Sequence, residues 1–177
     1  RPPMLGLLLA AALAAPPRPR APPPPRPAPL AELRLDAWDA ALTGRWGRLF
    51  AVAGRLLEQA PLDAEAYRMA GDAALLGGRH GEARRLLGKA QLLAPSDATG
   101  RLLQALDAPL GPPPPGAPPA PPPPSLRALA WLDLGENRHL SVPRFTCDCA
   151  ARALEADPGE PRAAAVRAAL RCPPPAK

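Results

Sequence analysis

Leucine and alanine recur among arginine, glutamate and aspartate through two long stretches of the chain, 30–107 and 125–171, with glycines and prolines cutting them into pieces of helix length. The pattern predicts eight helices, near 30–42, 46–59, 64–76, 79–93, 98–107, 125–139, 144–156 and 161–171. Asp63, Asp97 and Ser125 stand where N-caps belong. Gly44, Gly77 and Gly78 stand where helices stop. The loops are short, so neighbouring helices are expected to form antiparallel hairpins. Between and around these stretches, residues 16–29 alternate Pro, Ala and Arg and read as a polyproline II stalk. Residues 108–124 form a proline-rich insertion with eleven prolines, and 172–177, with Pro173-Pro174-Pro175, read as a disordered tail.

Composition changes the picture by removing sheets from it. Of 177 residues, 30 are Pro and 14 are Gly; there is no isoleucine, and only 3 % of the chain is aromatic. The β-branched residues are three valines (Val52, Val142, Val166) and three threonines (Thr43, Thr99, Thr146). Strands are built from such residues, so the expected class is all-α, with proline-rich disordered segments. Ala, Pro, Gly and Arg all use GC-rich codons, which makes positions and spacings more informative than totals.

The net charge is +6, but it is not spread over the folded part. Residues 1–29 carry Arg1, Arg18, Arg20 and Arg26 with no acid, residues 30–107 balance ten bases with ten acids, and 125–177 carry an excess of two bases. Interspersed signs describe a solvated helix surface rather than a phosphate-binding face, so no nucleic-acid partner is expected.

Met4 to Ala15 is an apolar run spanning roughly 18 Å as a helix, short of the ~30 Å membrane core. It resembles a signal-peptide core, with Ala12-Leu13-Ala14 as a cleavage site, or a short anchor in residues 1–15. The expectation is a periplasmic, secreted or membrane-anchored protein if 4–15 are a signal, and a cytoplasmic one otherwise. The three cysteines, Cys147, Cys149 and Cys172, lack metal-ligand spacing, and His80 and His139 stand alone, so neither a metal nor a cofactor is expected. Cys172 can pair with Cys147 or Cys149, or all three can be small packing residues.

Spacing carries the strongest signal. Pro61 and Pro95 are 34 residues apart, as are Gly44 and Gly78, and a fixed period of that size marks a stacked array of helical hairpins. Residues 64–95 resemble a tetratricopeptide (TPR) repeat: Tyr67 is the aromatic, Ala70 and Gly71 are small, and Gly78 and His80 form the turn. Ala83, Leu87, Ala90 and the closing Pro95 follow. Small Gly71 and Ala83 suit a close helix crossing, Tyr67 and Leu87 fill the space beside it, and Pro95 ends the second helix. Residues 30–61 form a weaker copy with Leu49 where a small residue belongs. Residues 125–158 offer a third, with Trp131 and Gly135 one place too close to Pro158. The resemblance implies an α-solenoid, with the C-terminal 125–171 forming a hairpin plus a capping helix. Helix 125–139 either completes a hairpin with 98–107 across the insertion, or 125–156 forms its own. One continuous stack is the favoured arrangement, because repeat arrays need about three units to bury their faces.

That resemblance also implies a function. First helices of successive hairpins would line a groove for a partner peptide or helix, here through Arg34, Trp38 and Ala41 in one unit and Arg68, Asp72 and Leu75 in the next. Arg34 and Arg68 are 34 apart, as are Trp38 and Asp72, so each pair is expected to lie side by side. Arginines beside an indole suit a ligand with a carboxylate and an apolar anchor, although Asp72 stands where a chaperone-type clamp has Asn. The expectation is a non-catalytic protein–protein adaptor or scaffold, with a possible membrane tether. A catalytic set is missing from the sequence pattern. The rival readings are a proline-rich ligand for SH3- or WW-type domains and an assembly component of a membrane-associated complex.

Overall fold

The computed structural model describes residues 29–107, 116, 123–140 and 142–174. The expected leader at 1–15, nearly all of the stalk, most of the proline-rich insertion and the last residues of the tail lie outside them. The described residues are all-helical, with no strand among them. In chain order they form α1 (Leu30–Leu42), α2 (Trp46–Gln59), α3 (Ala64–Leu76), α4 (His80–Leu93), α5 (Asp97–Asp107), α6 (Pro124–Gly135), a 3-10 turn (Arg138–Leu140), α7 (Pro143–Ala156) and α8 (Pro161–Ala169). None of these helices is long and apolar enough to cross a membrane.

Local chemistry sets the boundaries. The Asp63 side chain caps α3, accepting from the Glu65 and Ala66 amides at 2.9 and 3.3 Å. The turns after α1 and α3 are the same turn built twice. Gly44 and Gly78 adopt φ of +68° and +80°. The next amides, of Arg45 and Arg79, reach back 2.8 Å to the Ala40 and Ala74 carbonyls, which a glycine in the left-handed region permits.

Four expectations need correction. Asp97 and Ser125 are not N-caps: Asp97 is already the first residue of α5, and α6 starts at Pro124, whose fixed φ suits a first helical position. The sixth helix does not run to 139. It stops at Gly135 and re-forms as the 3-10 turn, because the Asn137 side chain accepts from the His139 amide at 2.9 Å and turns the chain. The last helix ends at Ala169 rather than 171, where Arg171 takes a positive φ of 50°.

Each helix packs antiparallel on the next from α1 to α6, and α7 turns back along α6. The ion pair of Arg48 with Asp36 joins α1 to α2, and Arg84 with Asp107, 2.7 Å, joins α4 to α5. The closest crossing is α3 on α4: a Cβ placed on Gly71 would lie 2.6 Å from the Leu87 Cγ and 3.2 Å from its backbone nitrogen. Beside it Ala83, Leu87 and Ala90 are fully buried, Tyr67 is half-buried and Pro95 is exposed. A second close crossing joins α6 to α7, where a Cβ on Gly135 would come within 2.9 Å of the Cys149 Cβ.

Besides its sequence neighbours, α3 packs on α6. Contacts along the two helices run in opposite order: Glu65 meets Asn137, Arg68 meets Asp133, and Leu76 shares a cavity wall with Arg127. Thus α6 is antiparallel to α3, whereas the first helix of a further hairpin in the same stack would run parallel to it. Surrounded by α2, α4 and α6, α3 has buried residues on every side, ten of its thirteen. That is the pattern of a central helix rather than a surface one.

Candidate functional site

The residues singled out for a partner groove fall on α1 and α3, and the structure does not leave them as one open surface. Arg34 is exposed on α1, while Arg68 on α3 is only 5 % exposed and Asp72 and Leu75 are fully buried. The two arginines therefore do not act as a side-by-side pair. Trp38 is half-buried under α7, its ring edge-to-face with Phe145 at 6.0 Å. The reason is the hairpin α6–α7, which lies over the inner side of α1 and α3. Sequence spacing placed these positions on a common face, but a periodic pattern within 30–95 carries no information about a later segment folding over it.

What α6 meets on α3 is a charged seam. Arg68 donates to Glu65 at 2.7 Å and to the Ala94 carbonyl at 3.1 Å, and its Nε lies 3.9 Å from the Asp133 carboxylate of α6. Thr99 of α5 donates to the same Asp133 at 2.8 Å. At the end of α6, Asn137 donates to the Glu65 carbonyl at 2.8 Å, the Arg138 amide donates to the Glu65 carboxylate at 3.1 Å, and His139 pairs with Asp63. The seam thus holds α6 by polar contacts on both α3 and α5.

Two carboxyls in this seam are out of water. Burial raises Asp133 to about 7, against the pull of the Thr99 hydroxyl and of Arg68. Burial and the neighbouring Asp133 push Asp72 well above the carboxylate range, with Arg68 opposing. Among the described residues, neither oxygen of Asp72 has a hydrogen-bond partner, and the second oxygen of Asp133 also lacks one. Two adjacent dry carboxylates do not both ionise readily, so the pair retains a proton at neutral pH.

Sequence reasoning passed over Asp133, Asn137 and Thr99. One signal pointed to Asp133: it is an acid embedded in the apolar run Trp131-Leu132-Asp133-Leu134, the same context that surrounds Asp72 in Gly71-Asp72-Ala73. Such an acid is either buried with partners or out of place.

The cysteine alternatives resolve into one arrangement. Cys147 and Cys172 form a disulfide that ties the start of α7 to the segment after α8, and Cys149 is a buried free thiol whose pKa is raised by burial. Among the described residues, no cluster of His, Cys, Asp and Glu has the size to hold a metal ion. Comparison of this chain with protein-family models, with curated proteins and with solved structures gives no match.

Proposed function

We propose that the chain is a non-catalytic protein–protein adaptor whose helices form a TPR-like array, with a helix as its ligand. The 34-residue recurrence of Pro61 with Pro95 and of the Gly44 and Gly78 turns supports the array. One observation carries the choice of ligand: the inner side of α3 accepts an antiparallel helix, α6, which sets an acid opposite Arg68 and a large ring, Trp131, against Trp46. A partner helix with an acid and an aromatic at matching positions would take the place of α6. This is helix-in-groove recognition, in which the tethered α6 competes at high effective concentration.

The test weakens the tethered copy and offers a free one. In the full chain, Trp131→Ala removes the ring contact, and a fluorescein-labelled peptide of residues 124–140 is then titrated in. Binding is expected, and it should be lost when the peptide carries Asp133→Lys. A Trp131→Ala chain that keeps its helical circular dichroism and binds neither peptide overturns the reading. The proline-ligand alternative rests on the eleven prolines of 109–124. Replacing Pro112–Pro115 by alanine leaves partner capture intact for a helical array and abolishes it for a proline ligand.

A further inference from the structure

The α1–α2 turn, the end of α3 and the hairpin α6–α7 line a half-open cavity of about 460 Å³. It lies at the opposite end of α3 from the Asn137 and His139 contacts, and it includes the Trp46–Trp131 contact that the adaptor reading also uses. Its walls mix apolar and polar surface: Trp46 and Trp131, edge-to-face with centroids 5.5 Å apart, stand with Leu42 and Leu76 beside the Thr43–Gly44 turn. At its mouth stand Arg127, Arg152 and Glu155. Their charges are not equivalent. Arg152 is already paired with Glu155 at 3.0 Å, whereas Arg127 has no acidic partner among the described residues. The site therefore combines an indole pair set in a mixed polar and apolar wall with one uncompensated guanidinium, in a volume typical of small-molecule pockets.

We propose that this cavity binds a small organic acid, an aromatic or branched apolar group bearing one carboxylate, with the apolar group against Trp46 and Trp131 and the carboxylate on Arg127. An arginine accepts a carboxylate through two parallel N–H···O bonds, a geometry that a neutral amide cannot match in charge. The volume favours a free small acid, and the same chemistry is carried by the C-terminal residue of a polypeptide. The proposal concerns the chain with α6 seated on α3, the state that a partner helix would displace.

The test uses the full chain and three probes: 3-phenylpropionate, its neutral isostere 3-phenylpropanamide, and the peptide Gly-Gly-Gly-Phe with a free C-terminus. Binding is read from the indole N–H resonances. The chain has three tryptophans, so Trp46 and Trp131 report on the cavity while Trp38, packed on Phe145, serves as internal reference. The acid is expected to shift Trp46 and Trp131 alone and to bind roughly tenfold more tightly than the amide. Arg127→Gln, at an exposed position, is expected to erase that difference without changing the helical signal. Equal binding of acid and amide, no shift with either, or an unchanged preference in Arg127→Gln overturns the proposal. Tighter binding of the peptide than of the free acid overturns the small-molecule occupant in favour of a chain terminus.

Discussion

Gly71 is required by distance and not by backbone angle. The side chain and backbone of Leu87 stand where a Cβ would be, and the backbone nitrogen cannot move aside without shifting α4. Gly71→Ala is therefore expected to cost about 1–3 kcal/mol, the range for overpacking a tight contact, read as a lower midpoint in chemical denaturation. Gly54, with open space around it, is the control that should tolerate alanine. Asp133 makes a prediction of the opposite kind, in pH. Its folded pKa of about 7 lies above the roughly 3.9 of an unfolded aspartate. The folded state therefore binds more protons between those values, and stability is fully present below ~3.9 and falls as pH rises through 7. The expected slope approaches about 1.4 kcal/mol per pH unit for one proton. Asp133→Asn keeps an oxygen for the Thr99 hydroxyl and should flatten this loss, measured by thermal melts from pH 4 to 8. At this scale the sequence was legible where a residue acts within one helix or one hairpin, as with the Asp63 cap or Gly71. It was silent where residues meet across distant segments, as Thr99 does Asp133.

Helices were legible because their signals are local: apolar stripes, left-handed glycines and prolines at ends. Fourteen of the sixteen helix ends needed at most a one-residue adjustment, and the two that moved further, at Gly135 and Ala169, end on features of tertiary origin. The first is the Asn137 turn, whose side chain is occupied by both Glu65 and His139. The second is the return of the chain to the Cys147–Cys172 disulfide. Only Ala163 of α8 is buried, so its hold on the α6–α7 hairpin comes from that disulfide to α7, from the pair of Arg162 with Glu136 at the end of α6, and from little apolar area. Reduction is therefore expected to act locally. Amides of 161–172 should lose hydrogen-exchange protection while those of α3 and α4 keep theirs. Loss of protection throughout would mean instead that the disulfide, worth about 3 kcal/mol for a loop of this size, supports the whole fold.

For the whole molecule, the all-helical class followed from the scarcity of β-branched residues, and the hairpins followed from short loops. The sense of α6 against α3 did not follow, because it depends on whether α6 pairs with α5 or begins a hairpin of its own, and the helix pattern leaves that open. Only pairings such as Glu65 with Asn137 fix the sense. The seam made by that antiparallel packing is the most polar part of the interior, with Arg68, Asp72 and Asp133 all buried. Imperfectly satisfied polar seams are costly to bury, so the molecule is expected to open there before it opens at the apolar crossing of α3 on α4.

The free thiol gives that opening a clock. Cys149 sits beneath Gly135, sealed from water and held in the unreactive thiol form by its burial. With the other two cysteines oxidised to one another, an alkylating reagent has a single target, and it can attack when α6 or α8 lifts from α7. Its rate of modification in the otherwise native chain measures how often either contact parts. If α3–α6 is the weak joint and α6–α8 moves as one unit, alkylation should be no faster than global unfolding. A faster rate would place the hinge within the hairpin itself or between α7 and α8.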